Sequence, residues 1–167
     1  PPDASGYASL GVSVDAAKYA MEKATLVVGE INDQVPRTMG DTFVHMDQFH
    51  YLVEATEPPI YFPRWPVNGT LDRVAANVAA MIEDGSCISF YNGPLFEALG
   101  RYLKTKRNLG VHTFFFTDPL MDLVKCGAVN NRMKGYFRGK SLTSCAQGTP
   151  ELMKWLDCNP LVEFQGI

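Results

Sequence analysis

Three times in the second half of this chain, a short apolar run meets a proline-bearing turn and is followed by apolar residues at helical spacing. Cys87 to Phe90 is broken by Asn92-Gly93-Pro94, and Leu95, Phe96, Leu99 and Leu103 then recur on one helical face. Val111 to Phe116 ends at Thr117-Asp118-Pro119, after which Leu120, Leu123 and Val124 open a second helix. Leu142 to Ala146 runs into Gly148-Thr149-Pro150, with Thr149 as N-cap, and then Leu152, Met153 and Leu156. A proline at the first helical position loses nothing, because the N–H it lacks would have had no partner there. Successive strand–helix units require parallel strands joined by right-handed crossovers. Their turns then lie side by side at the carboxyl edge of the sheet, where open α/β folds bind ligands. Leu161 to Phe164 reads as a further strand, with nothing after Ile167 to cover it. The expected fold class is α/β, a parallel sheet with helices on both faces. Phe114, Phe115 and Phe116 alternate across that sheet, so both of its faces are expected to be buried.

The first half is less regular. Pro1 to Gly11 reads as a loop entering a short strand, and Asp15 is placed to cap a helix reaching about Lys23. Leu26 to Ile31 reads as a buried strand, Asn32 to Asp41 as a long polar loop, and Tyr51 to Ala55 as another short strand. Glu57 to Pro66 carries four prolines in ten residues and is neither helix nor central strand, so a domain boundary is expected there. Leu71, Val74, Val78, Met81 and Ile82 define one face of a helix that Gly85 should terminate. Arg132, Lys134, Arg138 and Lys140 make residues 130–140 a basic segment, read either as a solvated face or as a partner for the phosphates of a nucleotide-like ligand.

Composition removes several classes of function. With 46% apolar residues the chain can bury a core, and a net charge of -3 gives no electrostatic case for nucleic acid or an anionic membrane. No apolar run approaches the roughly 18 residues of a membrane span, and no signal-peptide pattern is present. Cys87, Cys126, Cys145 and Cys158 lack C-x-x-C spacing and read as reduced thiols of a cytoplasmic protein. His45, His50 and His112 form no metal-ligand pattern, so no metal site is expected.

The candidate chemistry lies in the turns. Asn92 and Gly93 put main-chain N–H groups at a helix N-terminus, which favours an anion or a developing oxyanion; the alternative is an ordinary turn. His112, in an apolar strand, is a hydrogen-bonded core residue or a base. Asp118 is a helix N-cap or an acid. Arg37, in the long polar loop, is a solvated arginine or a clamp for a carboxylate or phosphate. No Ser/His/Asp set and no phosphate-binding glycine loop is present, and the residues alone lead to an α/β protein with a ligand-binding edge.

Further motifs resemble the acetyl-CoA hydrolase/transferase family, which includes acetate and 4-hydroxybutyrate CoA-transferases. They begin with Pro1-Pro2-Asp3, Gly6-Tyr7, Ser9-Leu10-Gly11 and Val12-Ser13-Val14-Asp15. Asn32, Val35-Pro36-Arg37-Thr38, Gly40-Asp41 and Tyr51-Leu52-Val53-Glu54 follow. Ile82-Glu83-Asp84-Gly85, Leu109-Gly110-Val111-His112-Thr113, Met121-Asp122-Leu123-Val124, Gly148-Thr149 and Asn159-Pro160-Leu161-Val162-Glu163 extend the likeness over nearly the whole chain.

The resemblance implies a CoA-transferase-like fold in two partial domains. Residues 1–60 would end the N-terminal domain and residues 61–167 would begin the C-terminal one. Family members are longer at both ends, so the chain is expected to be an internal piece that exposes apolar surface. The implied chemistry is covalent: a glutamate attacks the acyl-CoA carbonyl, becomes a glutamyl-CoA thioester and passes CoA to an acceptor acid, dividing one difficult transfer into two easier steps. In the family pattern that glutamate directly follows the His-Thr pair, where this chain has Phe114. The family's upstream turn has a glutamine and then two glycines separated by one residue; this chain has Ser89, Tyr91 and Gly93. The resemblance therefore implies a protein acting on or binding acyl-CoA thioesters in acetate metabolism. The alternative is a non-catalytic acyl-CoA-binding or regulatory module of a larger protein. Asn92, Gly93, His112, Asp118 and Arg37 are the expected substrate and CoA contacts, and Phe114 leaves no catalytic residue assigned. Coenzyme A is substrate or ligand, with no further cofactor. The expected partners are acyl-CoA and small carboxylates, with neither nucleic acid nor membrane, and homo-oligomerisation is left open.

Overall fold

The computed structural model describes residues 2–166. The first half holds β1 (Tyr7–Ser9), α1 (Ala17–Lys23), β2 (Val28–Ile31), β3 (Met39–Gly40), β4 (Phe43–His45) and β5 (Tyr51–Glu54). After a long extended segment come α2 (Gly69–Met81), β6 (Cys87–Ile88), α3 (Pro94–Leu103), β7 (Gly110–Val111), β8 (Phe115–Phe116) and α4 (Asp118–Lys125). The chain continues through β9 (Ser141–Thr143), β10 (Cys145–Ala146), α5 (Pro150–Leu156) and β11 (Val162–Phe164).

The repeated strand–turn–helix pattern produces the parallel arrangement it predicts. β6 pairs with β7, β8 with β10, and β11 with both β9 and β3, all parallel. A parallel bridge from His112 to Leu142 joins the two groups. Pro94 and Pro150 stand at the starts of α3 and α5, and the Thr149 hydroxyl accepts a hydrogen bond from the Leu152 N–H. The α2, α3 and α4 helices form one packed layer. Gly100 lets α3 approach α4 so closely that a Cβ there would lie 2.8 Å from the Pro119 side chain. Leu103, Leu109, Phe116, Leu120, Leu123 and Phe164 are almost fully buried beneath these helices, and Trp155 of α5 stacks on Phe116.

The apolar run from Val111 to Phe116 is not one strand. Thr113 is buried, and its hydroxyl accepts from the Phe90 N–H at 3.1 Å and donates to the Phe90 carbonyl at 2.8 Å. A side chain thus takes the place of a ladder bond, and the strand is interrupted between β7 and β8. The Thr143 hydroxyl donates to the Phe114 carbonyl at 3.0 Å, beside the Cys145 N–H on the same oxygen, where β9 gives way to β10. His112 and Phe114 emerge exposed, so the expectation that both faces are buried fails here.

Other expectations are corrected by packing. Asp15 does not cap α1: its backbone sits at a φ of +30°, one of its carboxylate oxygens is buried without a partner among the described residues, and the helix begins two residues later. Residues 26–31 are not a buried strand, because β2 pairs with β5 in a sheet of two strands and leaves Leu26, Val28, Leu52 and Val53 exposed. Asn68 caps α2, whose buried residues are Ala75 and Ala79; Val74 and Met81 face solvent, because the tight approach to α3 suits the small side chains. Gly85 lies past the end of α2, in a turn where its N–H donates to the Arg107 carbonyl. β11 is covered, with Val162 and Phe164 each only 1% exposed, because β3 returns from the first half to pair alongside it. All four cysteines are free thiols, and burial pushes that of Cys145 above its usual range.

Lys134 departs furthest from the solvated face expected of residues 130–140. It is buried, and its ammonium donates to the carbonyls of Val111 and Lys140, both at 2.8 Å. Burial lowers its pKa below the usual 10.5. Lys134→Met is expected to leave two carbonyls unpaired and to cost about 1–3 kcal/mol, measured as a lower urea midpoint. The unfolded chain holds the lysine proton more tightly than the native one. Native stability therefore gains as pH rises through the interval between the lowered value and 10.5, and the Met variant should lack this gain.

Candidate functional site

The three βα turns meet at the carboxyl edge. The first carries Tyr91, Asn92 and Gly93, the second Thr117 and Asp118, and the third Gln147, Gly148 and Thr149. The Asn92 side-chain amide donates to that of Gln147, tying the first turn to the third. The Asp118 carboxylate accepts from the Thr149 N–H at 3.0 Å and from the Thr149 hydroxyl at 2.5 Å, tying the second to the third. Gly148 is needed at this junction, since an added Cβ would come within 2.1 Å of the Asp118 carboxylate. Gly93 has a different role: its φ of +135° suits glycine, while nothing lies within 4 Å of a Cβ built on it.

Across the turns runs the proline-rich segment, residues 57–66. The Phe62 N–H donates to the Gly148 carbonyl at 2.9 Å, and Phe62, Pro63 and Trp65 close one side of a crevice lined by all three turns. The space left holds about one water molecule. Two carboxylates border it. Asp118 is saturated by Thr149. Glu97, in the first turn of α3, is only 7% exposed, and burial raises its pKa against the lowering effect of Arg64. Arg64 makes a two-pronged pair with Asp122 at 3.1 and 3.0 Å and reaches Glu97 at 3.4 Å. Although burial opposes its charge, hydrogen bonding to Asp122 carries the Arg64 pKa above its usual value.

Two further features suit this crevice to a single polarised oxygen. The N-termini of α3 and α4 both border it, and such ends favour negative charge. The Thr117 hydroxyl, at the crevice wall, is buried with no hydrogen-bond partner among the described residues.

Of the residues singled out in the sequence, Asn92, Gly93 and Asp118 come together here. Asp118 does not cap its own helix: it is the first residue of α4, its carboxylate is spent on Thr149, and Thr117 stands in the cap position with its carbonyl bonded to the helix but its hydroxyl not. Arg37 and His112 lie elsewhere. Arg37 pairs with Asp3 at 2.6 Å, rests over the Phe43 ring and lines a separate groove with Asn32, Asp33 and Asp157. The Tyr7 N–H and then Arg37 hold the Asp3 carboxyl below its usual range. His112 is exposed in a hollow beside Phe137, Thr143 and Gln165. Phe114 is 40% exposed and packs edge-on against Phe115, which packs edge-on against Tyr91 of the first turn. Among the described residues, no group of three or more His, Cys, Asp and Glu side chains could hold a metal ion.

Sequence reasoning missed Thr117, Gln147 and Arg64 as parts of this site, and it weighed Glu97 as the nearest alternative carboxylate but assigned it to the dipole of its own helix. The recurrence of the turn was a usable signal for Gln147, because a third βα turn must reach the same edge. Nothing local marks Arg64, whose partners lie 33 and 58 residues away.

Gly148→Ala is expected to drive a methyl group into the Asp118 carboxylate and to destabilise the fold by about 1–3 kcal/mol. Gly135→Ala, at an open position, should leave the thermal midpoint near that of the native protein.

Residues 1–62 match the family model for the acetyl-CoA hydrolase/transferase N-terminal domain. The 4-hydroxybutyrate coenzyme A transferase of Clostridium kluyveri is 38% identical over 166 residues, 99% of this chain and 39% of that protein. A succinyl-CoA:acetate/propanoyl-CoA:succinate CoA transferase of Fasciola hepatica is 34% identical over 98% of this chain and 34% of its own length. Among solved structures, the 4-hydroxybutyrate CoA-transferase of Porphyromonas gingivalis superposes with a TM-score of 0.94 at 32% identity, covering 99% of this chain and 42% of that one. The chain thus spans between a third and two fifths of the length of these curated relatives. Fold, motifs and relatives agree: the chain belongs to the acetyl-CoA hydrolase/transferase family.

Proposed function

We propose that this chain binds an acyl-CoA thioester across the carboxyl edge of its sheet, as part of a protein of the acyl-CoA:carboxylate CoA-transfer class. The observation that carries the reading is the crevice itself. It is bordered by two helix N-termini and a buried, unpartnered hydroxyl, and it is sized for one oxygen. A thioester carbonyl oxygen gains negative charge when its carbon is attacked, and N–H groups at a helix end stabilise that charge without reorganising. Asn92 and Gly93 would face the acyl end, Asp118 would hold the turns in register, and the thioester carbon would lie toward Phe114. Coenzyme A acts as substrate and no separate cofactor is required. Small carboxylates are the acceptors, and the site of action is the cytoplasm. Residues 1–60 end one domain and residues 61–167 begin a second, with the proline-rich segment between them. Arg37 and His112, which line other hollows, would meet outlying parts of the ligand.

Phe114 favours a second reading, in which the chain binds acyl-CoA without turning it over. A phenyl ring has neither a nucleophilic atom nor a proton to give, and the family pattern has its glutamate at this position. Tyr91, where that pattern has glycine, adds bulk beside the same turn.

Calorimetric titration with acetyl-CoA and with free CoA tests the shared claim. Both ligands are expected to bind, and Gly93→Leu, which fills the mouth of the crevice, should weaken acetyl-CoA binding at least about tenfold, or 1.4 kcal/mol. A Gly93→Leu protein with native circular dichroism and unchanged affinity for acetyl-CoA would refute the placement.

A further inference from the structure

We infer that residues 57–66 form a gate over the crevice, latched by Arg64, which restricts the site to short acyl groups. The inference rests on the acyl-CoA reading above. Residues 55–68 contain no helix or strand, and the prolines at 58, 59, 63 and 66 stiffen the segment, so it is suited to moving as a strap rather than crumpling. Its one main-chain hydrogen bond to the site among the described residues runs from the Phe62 N–H to the Gly148 carbonyl, while the Trp65 N–H lies near enough to the Glu97 carboxylate to favour its charge. The strong tie is a side chain. Arg64 grips Asp122 of α4 through two nitrogens and touches Glu97 of α3, bridging the two helices whose first turns border the crevice. A planar guanidinium on a carboxylate fixes direction as well as distance.

Latched in this way, Phe62, Pro63 and Trp65 press against the three turns and leave room for about one water molecule. A carbonyl oxygen fills such a space, so the acyl chain must lie against the strap, and each further methylene must displace it further. Opening the strap takes the Arg64 guanidinium and the Trp65 N–H away from Glu97 together, so the open position is disfavoured while that carboxylate is charged. Arg64 is therefore a positioning residue that sets the size limit without touching the reacting atoms.

Two measurements on Arg64→Gln test this. Hydrogen exchange of the Phe62 and Trp65 amides should accelerate at least about tenfold. Calorimetry should show the native protein preferring acetyl-CoA over hexanoyl-CoA by about tenfold or more, and the variant bringing the two within about threefold. Asp122→Asn, which loosens the latch from outside the crevice, should reproduce both changes should Arg64→Gln fold poorly. Native exchange rates at 57–66 in a folded variant overturn the latch. Faster exchange with an unchanged preference overturns the size limit. If the native protein binds neither thioester, the acyl-CoA reading falls and the size limit with it, while the exchange rates still decide whether Arg64 holds the strap.

Discussion

The buried carboxylate of Asp118 sets the geometry at the sheet edge. It accepts both hydrogen bonds that Thr149 offers, and it does so across a glycine that leaves no space for a side chain. A buried carboxylate without those donors would be costly. The second and third βα turns are therefore locked together, and the Asn92–Gln147 contact brings in the first. The starts of α3 and α4, each with a proline in its first turn, thereby border one small volume. The strap from Phe62 to Trp65 then closes that volume rather than an open ledge.

The parts of this fold visible in the sequence are those set by local chemistry. Proline and glycine punctuation located α3, α4 and α5, because those residues act through their own backbone. Thr149 could be read as a cap for the same reason. What escaped the sequence depends on distant partners. The interruption at Thr113 arises because a hydroxyl found the main chain of a strand 23 residues earlier. The burial of β11 depends on β3, which lies more than a hundred residues before it. Lys134 read as solvated because nothing in its neighbourhood shows that the Val111 and Lys140 carbonyls lie within its reach. The buried face of α2 was rotated in the reading because a close helix contact selects alanine over the larger Val74 and Met81. At the site, Asn92, Gly93 and Asp118 were legible as turn residues, whereas Arg64 and its contact with Glu97 became visible only once the strap was seen to cross α3.

This architecture separates binding from bond-making. In the proposed reading the crevice, the helix ends and the strap would recognise a thioester, and none of them depends on a nucleophile. The nucleophile position proposed from the His-Thr motif is Phe114, which sits half-exposed in an aromatic chain with Phe115 and Tyr91. Glu97 is the carboxylate nearest the crevice that is not saturated by hydrogen bonds to Thr149, but it is buried and engaged with Arg64 and the Trp65 N–H. In the second of the two proposed readings, these residues would bind the thioester without acyl transfer.

Intact-protein mass spectrometry after incubation with acetyl-CoA tests that separation directly. In a well-studied hydrolase, loss of the nucleophile lowers the rate on the order of a millionfold, so no covalent intermediate should accumulate here. The expected spectrum shows the unmodified mass alone at acetyl-CoA concentrations that saturate binding. A CoA-sized adduct mapped to a glutamate, Glu97 above all, would contradict it and show that another carboxylate has taken over the chemistry that Phe114 cannot perform.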